Sequence, residues 1–113
     1  MSAVTVVILC TWVILASAMI TIGISQSTAA NPVTFYTGEK APEAKDLTSV
    51  RGWNRDHGRM WIAYGAVILL SCVPLLLLKD SKPALLIPIA GVLLPIPLLV
   101  LGHHALIKKY KVK

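Results

Sequence analysis

The sequence predicts an all-α membrane protein with three transmembrane helices and an amphipathic interfacial helix in the first loop. Hydrophobic residues make up 56% of its 113 residues and charged residues only 14%, whereas a soluble domain has about 45–50% apolar and about 25% charged residues. A globule of this size has too little interior to bury such an excess, and a disordered chain would be far more polar. We therefore expect one integral membrane domain over residues 1–113.

Three long stretches without a charged side chain define the predicted transmembrane helices. They lie at residues 4–24, 60–78 and 83–103, and each has about the 20 residues that a helix needs to cross a bilayer core. Helices are expected because every backbone N–H in hydrocarbon needs a partner within the chain. No Lys or Arg precedes the first stretch, so we expect a retained helix rather than a cleaved signal peptide. A loop at 25–59 and a basic tail at 104–113 remain.

The lysines and arginines lie mostly on one side of the predicted membrane. The loop carries five (Lys40, Lys45, Arg51, Arg55 and Arg59), the tail four (Lys108, Lys109, Lys111 and Lys113), and the link between the second and third spans two (Lys79 and Lys82). Cytoplasmic segments carry such an excess, so the N-terminus is expected outside and the loop and C-terminus inside. Attraction to anionic lipid head groups accounts for the net charge of +6, and no basic-aromatic motif predicts a nucleic-acid partner.

The end of the loop predicts an amphipathic helix that lies at the membrane interface and runs into the second span. Leu47, Val50 and Trp53 recur at helical spacing. Thr48 or Ser49 is a suitable N-cap for this helix. The aromatic side chains of this side are expected to anchor it as an interfacial belt: Phe35, Tyr36, Trp53, Trp61, Tyr64 and Tyr110.

The densest cluster of functional groups lies in this predicted helix. We predict a ligand or head-group surface formed by Arg51, Trp53, Asn54, Arg55, His57 and Arg59. Its arginines are suited to binding anions at a membrane surface. The alternative is a solvated ion-pair face in which Asp56 pairs with Arg59 or Arg55.

Short motifs in the loop resemble the SdpI-like family of small bacterial membrane proteins, which takes its name from an immunity protein against a secreted toxin. The motifs are Asn31-Pro32, the turn Tyr36-Thr37-Gly38, Trp53-Asn54-Arg55, Gly58 and Gly65. The resemblance covers about residues 31–70, although the family's usual Gly-x-Arg-Thr is absent. It implies a bacterial plasma-membrane protein that protects against, or senses, a membrane-active peptide.

The predicted spans offer packing residues rather than charged sites. Cys10, Ser17 and Thr21 form a stripe that we predict packs against another helix. Trp12 lies mid-span, where its indole N–H needs a protein partner. In the third span, Pro95 and Pro97 predict a kink or local unwinding. The absence of Asp, Glu, Lys and Arg from the spans argues against ion-coupled transport.

Metal and catalytic signatures are weak, so we predict no metal, no cofactor and no catalytic residues. Cys10 and Cys72 lie on different spans and predict no disulfide or redox motif. His57, His103 and His104 share one membrane side, which leaves a three-histidine metal site open. Separate, solvent-accessible interfacial histidines are the more common arrangement.

The sequence therefore predicts a non-enzymatic integral membrane protein of the SdpI-like type, with the clustered loop residues in contact with lipid or peptide. Two alternatives stay open. One is an accessory subunit of a larger membrane complex, held by the stripe on the first span. The other is a small oligomeric transporter or channel that uses the interrupted third span. Three helices bury limited surface, so a homo-oligomer or a membrane-protein partner is expected in each case.

Overall fold

The computed structural model describes residues 2–35, 39–78 and 81–112. Helices are the main regular elements of this part of the chain, together with a short 3₁₀ turn at Ala44–Asp46. The five α-helices are α1 (Ala3–Ser27), α2 (Val50–Ser71), α3 (Val73–Leu77), α4 (Lys82–Leu93) and α5 (Pro95–Tyr110). Serine hydroxyls cap three of these helices at their N-termini, and Ser49 does so for α2 by accepting from the Gly52 N–H at 2.9 Å.

Three helical rods are long and apolar enough to cross a membrane: Ala3–Ser27, Val50–Leu77 and Lys82–Tyr110. Together they form an elongated bundle of 53 × 22 × 22 Å. This result confirms the predicted all-helical fold with three candidate spans. The molecule is therefore built as a multi-pass membrane protein.

Helix α2 is the central rod, because it packs against both of the others. Gly58 of α2 lies against Gly23 of α1, and Gly65 lies against Ala16, so α1 and α2 run antiparallel. On its other side, α2 contacts α4 through Ser71 and Gly91. The chain thus passes up, down and up through the bundle.

The predicted interfacial helix is not seen as an element of its own. Helix α2 begins at Val50 and continues without interruption to Ser71, so residues 50–59 are the first turns of the second rod. A single break follows at Cys72, where Pro74 at the start of α3 cannot supply a helical N–H. The second rod is therefore longer than its apolar stretch, and its polar first turns pack against α5 at one end of the bundle.

The third rod divides at Leu94, directly before Pro95, where the sequence predicts a disturbance. Leu94 keeps helical dihedral angles (φ −66°, ψ −35°). The helical hydrogen-bond pattern is therefore interrupted at this point, while the backbone itself stays helical. Side chains of the other rods donate to carbonyls of this rod: Trp12 Nε1–H donates to the Pro88 carbonyl at 2.8 Å, and the Tyr64 hydroxyl donates to the Val92 carbonyl at 2.7 Å. The expected protein partner of the Trp12 indole is thereby confirmed.

The close crossing of α1 and α2 depends on glycine. A Cβ added at Gly58 would overlap the Gly23 carbonyl oxygen and lie 2.9 Å from the Ser27 backbone N. A Cβ at Gly23 would lie 2.5 Å from the Gly58 carbonyl oxygen. Because these neighbours are backbone atoms, the helices would have to move apart to make room.

We predict that Gly58→Ala lowers the thermal stability of the protein in detergent, measured by circular dichroism. Alanine adds about 1 kcal/mol of helix propensity, but overpacking of a tight contact costs about 1–3 kcal/mol or more, and here the contacted atoms are backbone. The matched control is Gly102→Ala, whose Cβ meets the flexible Met60 sulfur at 3.1 Å. An equal or higher midpoint for Gly58→Ala than for Gly102→Ala would contradict the predicted crossing.

Candidate functional site

Several buried polar side chains of the described residues meet at one end of the bundle, which we call the capped end. It consists of the first turns of α2, the last turns of α5 and the segment between α1 and α2, residues 28–35 and 39–49, which includes the 3₁₀ turn and which we call the strap. The strap ends near the C-terminus, where Leu47 and Lys111 form an antiparallel bridge. The Thr48 N–H donates to the Tyr110 carbonyl at 2.7 Å, and the Val112 N–H donates to the Asp46 carbonyl at 2.8 Å.

The six residues predicted as one contact surface divide into two sets. Trp53, Asn54 and His57 are buried, with 1%, 1% and 0% of their surfaces exposed. The three arginines are exposed and follow one another at four-residue spacing, so they occupy one outward face of α2: Arg51, Arg55 and Arg59. The buried set supports the fold of the capped end, and only the arginine set is available to a ligand.

Asn54 and Trp53 attach the strap to α2. The Asn54 Oδ1 accepts from the Val33 N–H at 3.0 Å, while its Nδ2 donates to the Ala29 carbonyl at 3.1 Å and the Asn31 carbonyl at 2.9 Å. Trp53 Nε1–H donates to the Val33 carbonyl at 2.9 Å. One buried amide therefore uses both its acceptor and its two donors on residues 29–33 of the strap, which lie outside any helix or strand.

A line of three titratable side chains runs through the interior of the capped end. The Nδ1 of His57 lies 2.8 Å from the Trp53 carbonyl oxygen, and its Nε2 lies 2.9 Å from Nδ1 of His103. The Nε2 of His103 lies 2.9 Å from Oε2 of Glu39 in the strap. His103 is 5% exposed, and the second oxygen of Glu39 accepts from the Phe35 N–H at 2.8 Å. These contacts join α2, α5 and the strap.

The hydrogen-bond partners limit where protons sit in this line. The Trp53 carbonyl only accepts, so Nδ1 of His57 carries a hydrogen. Each of the two following contacts needs one hydrogen between its atoms. Both contacts are hydrogen bonds at the same time only when His57, His103 and Glu39 together hold three hydrogens, a count that corresponds to a net charge of zero.

Aromatic rings enclose the two imidazoles. The Phe35 ring stacks on His103 with centroids 4.6 Å apart and planes 13° apart, and it also stacks on Trp61 at 5.4 Å. The Trp53 ring lies 4.2 Å from the His57 ring. Several aromatic residues expected in a lipid-facing belt thus line the interior instead, while Tyr36, another expected member, lies outside the described residues.

A second polar contact joins α2 to the end of α5. The Tyr110 hydroxyl donates to Asp56 Oδ2 at 2.5 Å, and Gly52 leaves the space that the Tyr110 ring occupies. Asp56 also pairs with Arg55 at 3.2 Å and with Lys109 at 3.7 Å. Of the two ion pairs that the sequence left open for Asp56, the one with its neighbour Arg55 forms in the structure.

The stripe predicted to pack on α1 faces outward in the monomer. Cys10, Ser17 and Thr21 are exposed. Ser17 donates to the Val13 carbonyl at 2.7 Å and Thr21 to the Ser17 carbonyl at 2.8 Å, so both hydroxyls are satisfied within α1. Packing inside the chain uses Ala16 and Gly23 in their place.

The three histidines do not form a metal site in the described part of the chain. His104 is exposed, whereas His57 and His103 bind each other and Glu39. No group of three or more His, Cys, Asp and Glu among the described residues is arranged to hold a metal ion. Glu39 is not among the residues predicted for the site, because nothing in its local sequence pattern points to a partner 64 positions away.

We predict that Asn54→Asp destabilises the protein by about 3 kcal/mol. The carboxylate loses both amide donors and faces two carbonyl oxygens in a buried position, and each unsatisfied buried group costs about 1–3 kcal/mol. Chemical denaturation of the full chain in detergent near neutral pH measures the change. Asn31→Asp makes the same substitution at an exposed side chain, and a similar loss there would contradict the role assigned to the Asn54 amide.

No family model, curated protein or solved structure matches this chain. The SdpI-like resemblance therefore stays a prediction from short sequence motifs, one of which, Tyr36-Thr37-Gly38, lies outside the described residues.

Proposed function

We propose that the chain is a non-enzymatic multi-pass protein of the bacterial plasma membrane that binds an anionic group at the cytoplasmic membrane surface. In this proposal the N-terminus is outside, and the capped end lies in the cytoplasm. The distribution of lysine and arginine supports that orientation, because the loop and tail carry most of them. The first turns of α2 then lie in the interfacial region, where the sequence places its amphipathic helix.

The observation that carries this proposal is the outward arginine face of α2. Arg51, Arg55 and Arg59 are exposed on successive turns, and the same helix continues into an apolar rod. Guanidinium groups are suited to bidentate contact with phosphate and carboxylate groups. The buried Trp53, Asn54 and His57 hold the opposite face of the same turns, so the arginines are presented by a rigid helix.

Phospholipid head groups are the first anionic partner to expect at this depth. A basic side chain next to an anionic membrane surface contributes about 1 kcal/mol of attraction. Lys108 and Lys109 are also exposed at the end of α5. In the SdpI-like role that the resemblance implies, a membrane-active peptide is the partner recognised at this surface.

We predict that replacing Arg51, Arg55 and Arg59 together by Gln lowers retention of phosphatidylglycerol at least about tenfold. The measurement is lipid mass spectrometry on the full chain extracted from vesicles of phosphatidylglycerol and phosphatidylcholine. The matched control removes the same charge from exposed lysines of the same end: Lys45, Lys108 and Lys109. Survival of expressing cells under a membrane-active peptide is a second readout of the same variants.

An unchanged phosphatidylglycerol content together with unchanged survival would refute the proposal. Equal losses in the arginine and lysine variants would also count against it, because they would trace binding to total charge rather than to the face of α2.

An accessory subunit of a larger membrane complex is the second candidate, and the outward stripe on α1 favours it. Cys10, Ser17 and Thr21 lie on a face that no other helix of the described residues buries, and small residues permit close approach of a partner helix. If this candidate is correct, another membrane protein co-purifies with the chain. The double substitution Ser17→Leu and Thr21→Leu is then expected to abolish this co-purification. Persistence of the complex in that variant would contradict binding of the partner at the stripe on α1.

A further inference from the structure

An open groove lies between the second and third rods, in the apolar part of the bundle. Val67 and Leu70 line it from the second rod, and Ile87 and Leu94 line it from the third. Its volume is about 390 Å³, which falls within the range of about 300–1,000 Å³ for sites that hold small organic ligands. The groove is therefore large enough for part of a ligand molecule.

Ser71 and Gly91 bring the two rods together within this groove. A Cβ added at Gly91 would overlap the Ser71 side chain, so the absence of a side chain at Gly91 permits the close approach. The Ser71 hydroxyl donates to the Ile68 carbonyl at 2.6 Å, and its hydrogen is thus not available to a ligand. The groove therefore suits a hydrocarbon chain better than a polar group.

The row of α2 residues that carries the arginines leads into the groove. Six residues follow one another at four-residue spacing along this uninterrupted helix: Arg51, Arg55, Arg59, Ala63, Val67 and Ser71. Residues four apart are neighbours on a helix surface. The first three form the exposed arginine face, and the last two line the groove. Ala63 lies between them and is exposed and small, so no bulky side chain of this row separates Arg59 from the groove.

Arg59 is the arginine of this row that lies nearest to the groove. It forms no ion pair with any of the described residues, whereas Arg55 is paired with Asp56. The helical rise places Val67 about 12 Å and Ser71 about 18 Å from Arg59 along the axis. Half of a bilayer core is about 15 Å thick. The groove therefore lies at the depth that the acyl chains of a lipid reach when its head group is beside Arg59.

We propose that the groove holds an acyl chain of an anionic phospholipid whose phosphate binds Arg59. This inference rests on the proposed function, which places the arginine face at the cytoplasmic membrane surface, and it extends the partner from a head group to a whole lipid. A guanidinium group binds phosphate in bidentate geometry. Surrounding lipid chains are as apolar as the groove, so Arg59 supplies the preference for an anionic lipid. A protein helix could fill the groove without any contribution from Arg59.

Photolabelling of the full chain in phosphatidylcholine vesicles tests this site. The probe is phosphatidylglycerol with a diazirine near the end of one acyl chain, and the same diazirine on phosphatidylcholine measures ordinary contact with bilayer chains. Peptide mass spectrometry locates the label. We expect labelling of Val67, Ile87 and Leu94 to be at least about fivefold stronger from the anionic probe, the ratio that attraction of one arginine to an anionic lipid supplies. Ile14, which is exposed on α1 outside the groove, is expected to be labelled equally by both probes.

Two pairs of variants separate the head-group contact from the groove. Arg59→Gln is expected to abolish the preference for the anionic probe. Arg51→Gln removes the same charge about 12 Å farther from the groove along α2 and is expected to keep it. Val67→Phe fills part of the groove and is expected to lower the labelling of Leu94 by the anionic probe. Its control is Val13→Phe on α1, because the two valines are similarly exposed, at 41% and 48%.

Equal labelling of the groove by the two probes in the wild type would overturn the inference. A preference that survives Arg59→Gln, or that falls equally in Arg51→Gln, would also overturn it. Protection of the groove from both probes would show that a second copy or another protein covers it, with the same consequence. Retention of phosphatidylglycerol tests the proposed function separately. If retention depends on the arginine face but the groove shows no preference, the acyl-chain site alone is refuted, whereas retention independent of the arginines refutes both proposals.

Discussion

The hydrogen bond between His57 and His103 is the contact on which the capped end depends. It joins α2 to α5 at 2.9 Å between two rings that are almost fully buried. A buried polar group without a partner costs more free energy than a satisfied one contributes. The histidines therefore require further partners, and the Trp53 carbonyl and Glu39 supply them. Glu39 thereby adds a third attachment of the strap to the bundle end, beside the hydrogen bonds of Asn54 and Trp53.

The same requirement for internal partners governs the rest of the molecule. Trp12 and Tyr64 donate to carbonyls of the proline-interrupted third rod, and Asn54 satisfies three backbone groups of the strap. Hydrocarbon offers no competing partners, so such bonds select one packing of the helices. In the described part of the chain, the buried side-chain atoms without a hydrogen-bond partner are Gln26 Oε1 and Trp61 Nε1. Nearly all buried side-chain nitrogen and oxygen atoms of the described residues thus have a hydrogen-bond partner.

Helix α2 combines two chemistries in its first turns. Its inward face carries the buried tryptophan, asparagine and histidine, and its outward face carries the arginines. The sequence pattern showed that functional groups cluster in residues 51–59, but it did not show which of them are buried. Their side chains point to different faces of α2, and only the positions of α5 and the strap decide which face is covered. Burial of one face holds these turns in place, so the arginines of the other face are presented from a fixed helix.

The sequence by itself determined the three apolar rods, a disturbance of the third rod around Pro95 and Pro97, an N-cap at Thr48 or Ser49, and the concentration of positive charge in the loop and tail. These features follow from local composition and from spacing within one helix. The tertiary structure alone decided that His57 meets His103 across 46 positions, that His103 meets Glu39 across 64, and that the stripe on α1 faces outward. Contacts of this kind leave no periodic pattern in the sequence. Their geometry depends on how separate helices pack and on where the strap crosses them.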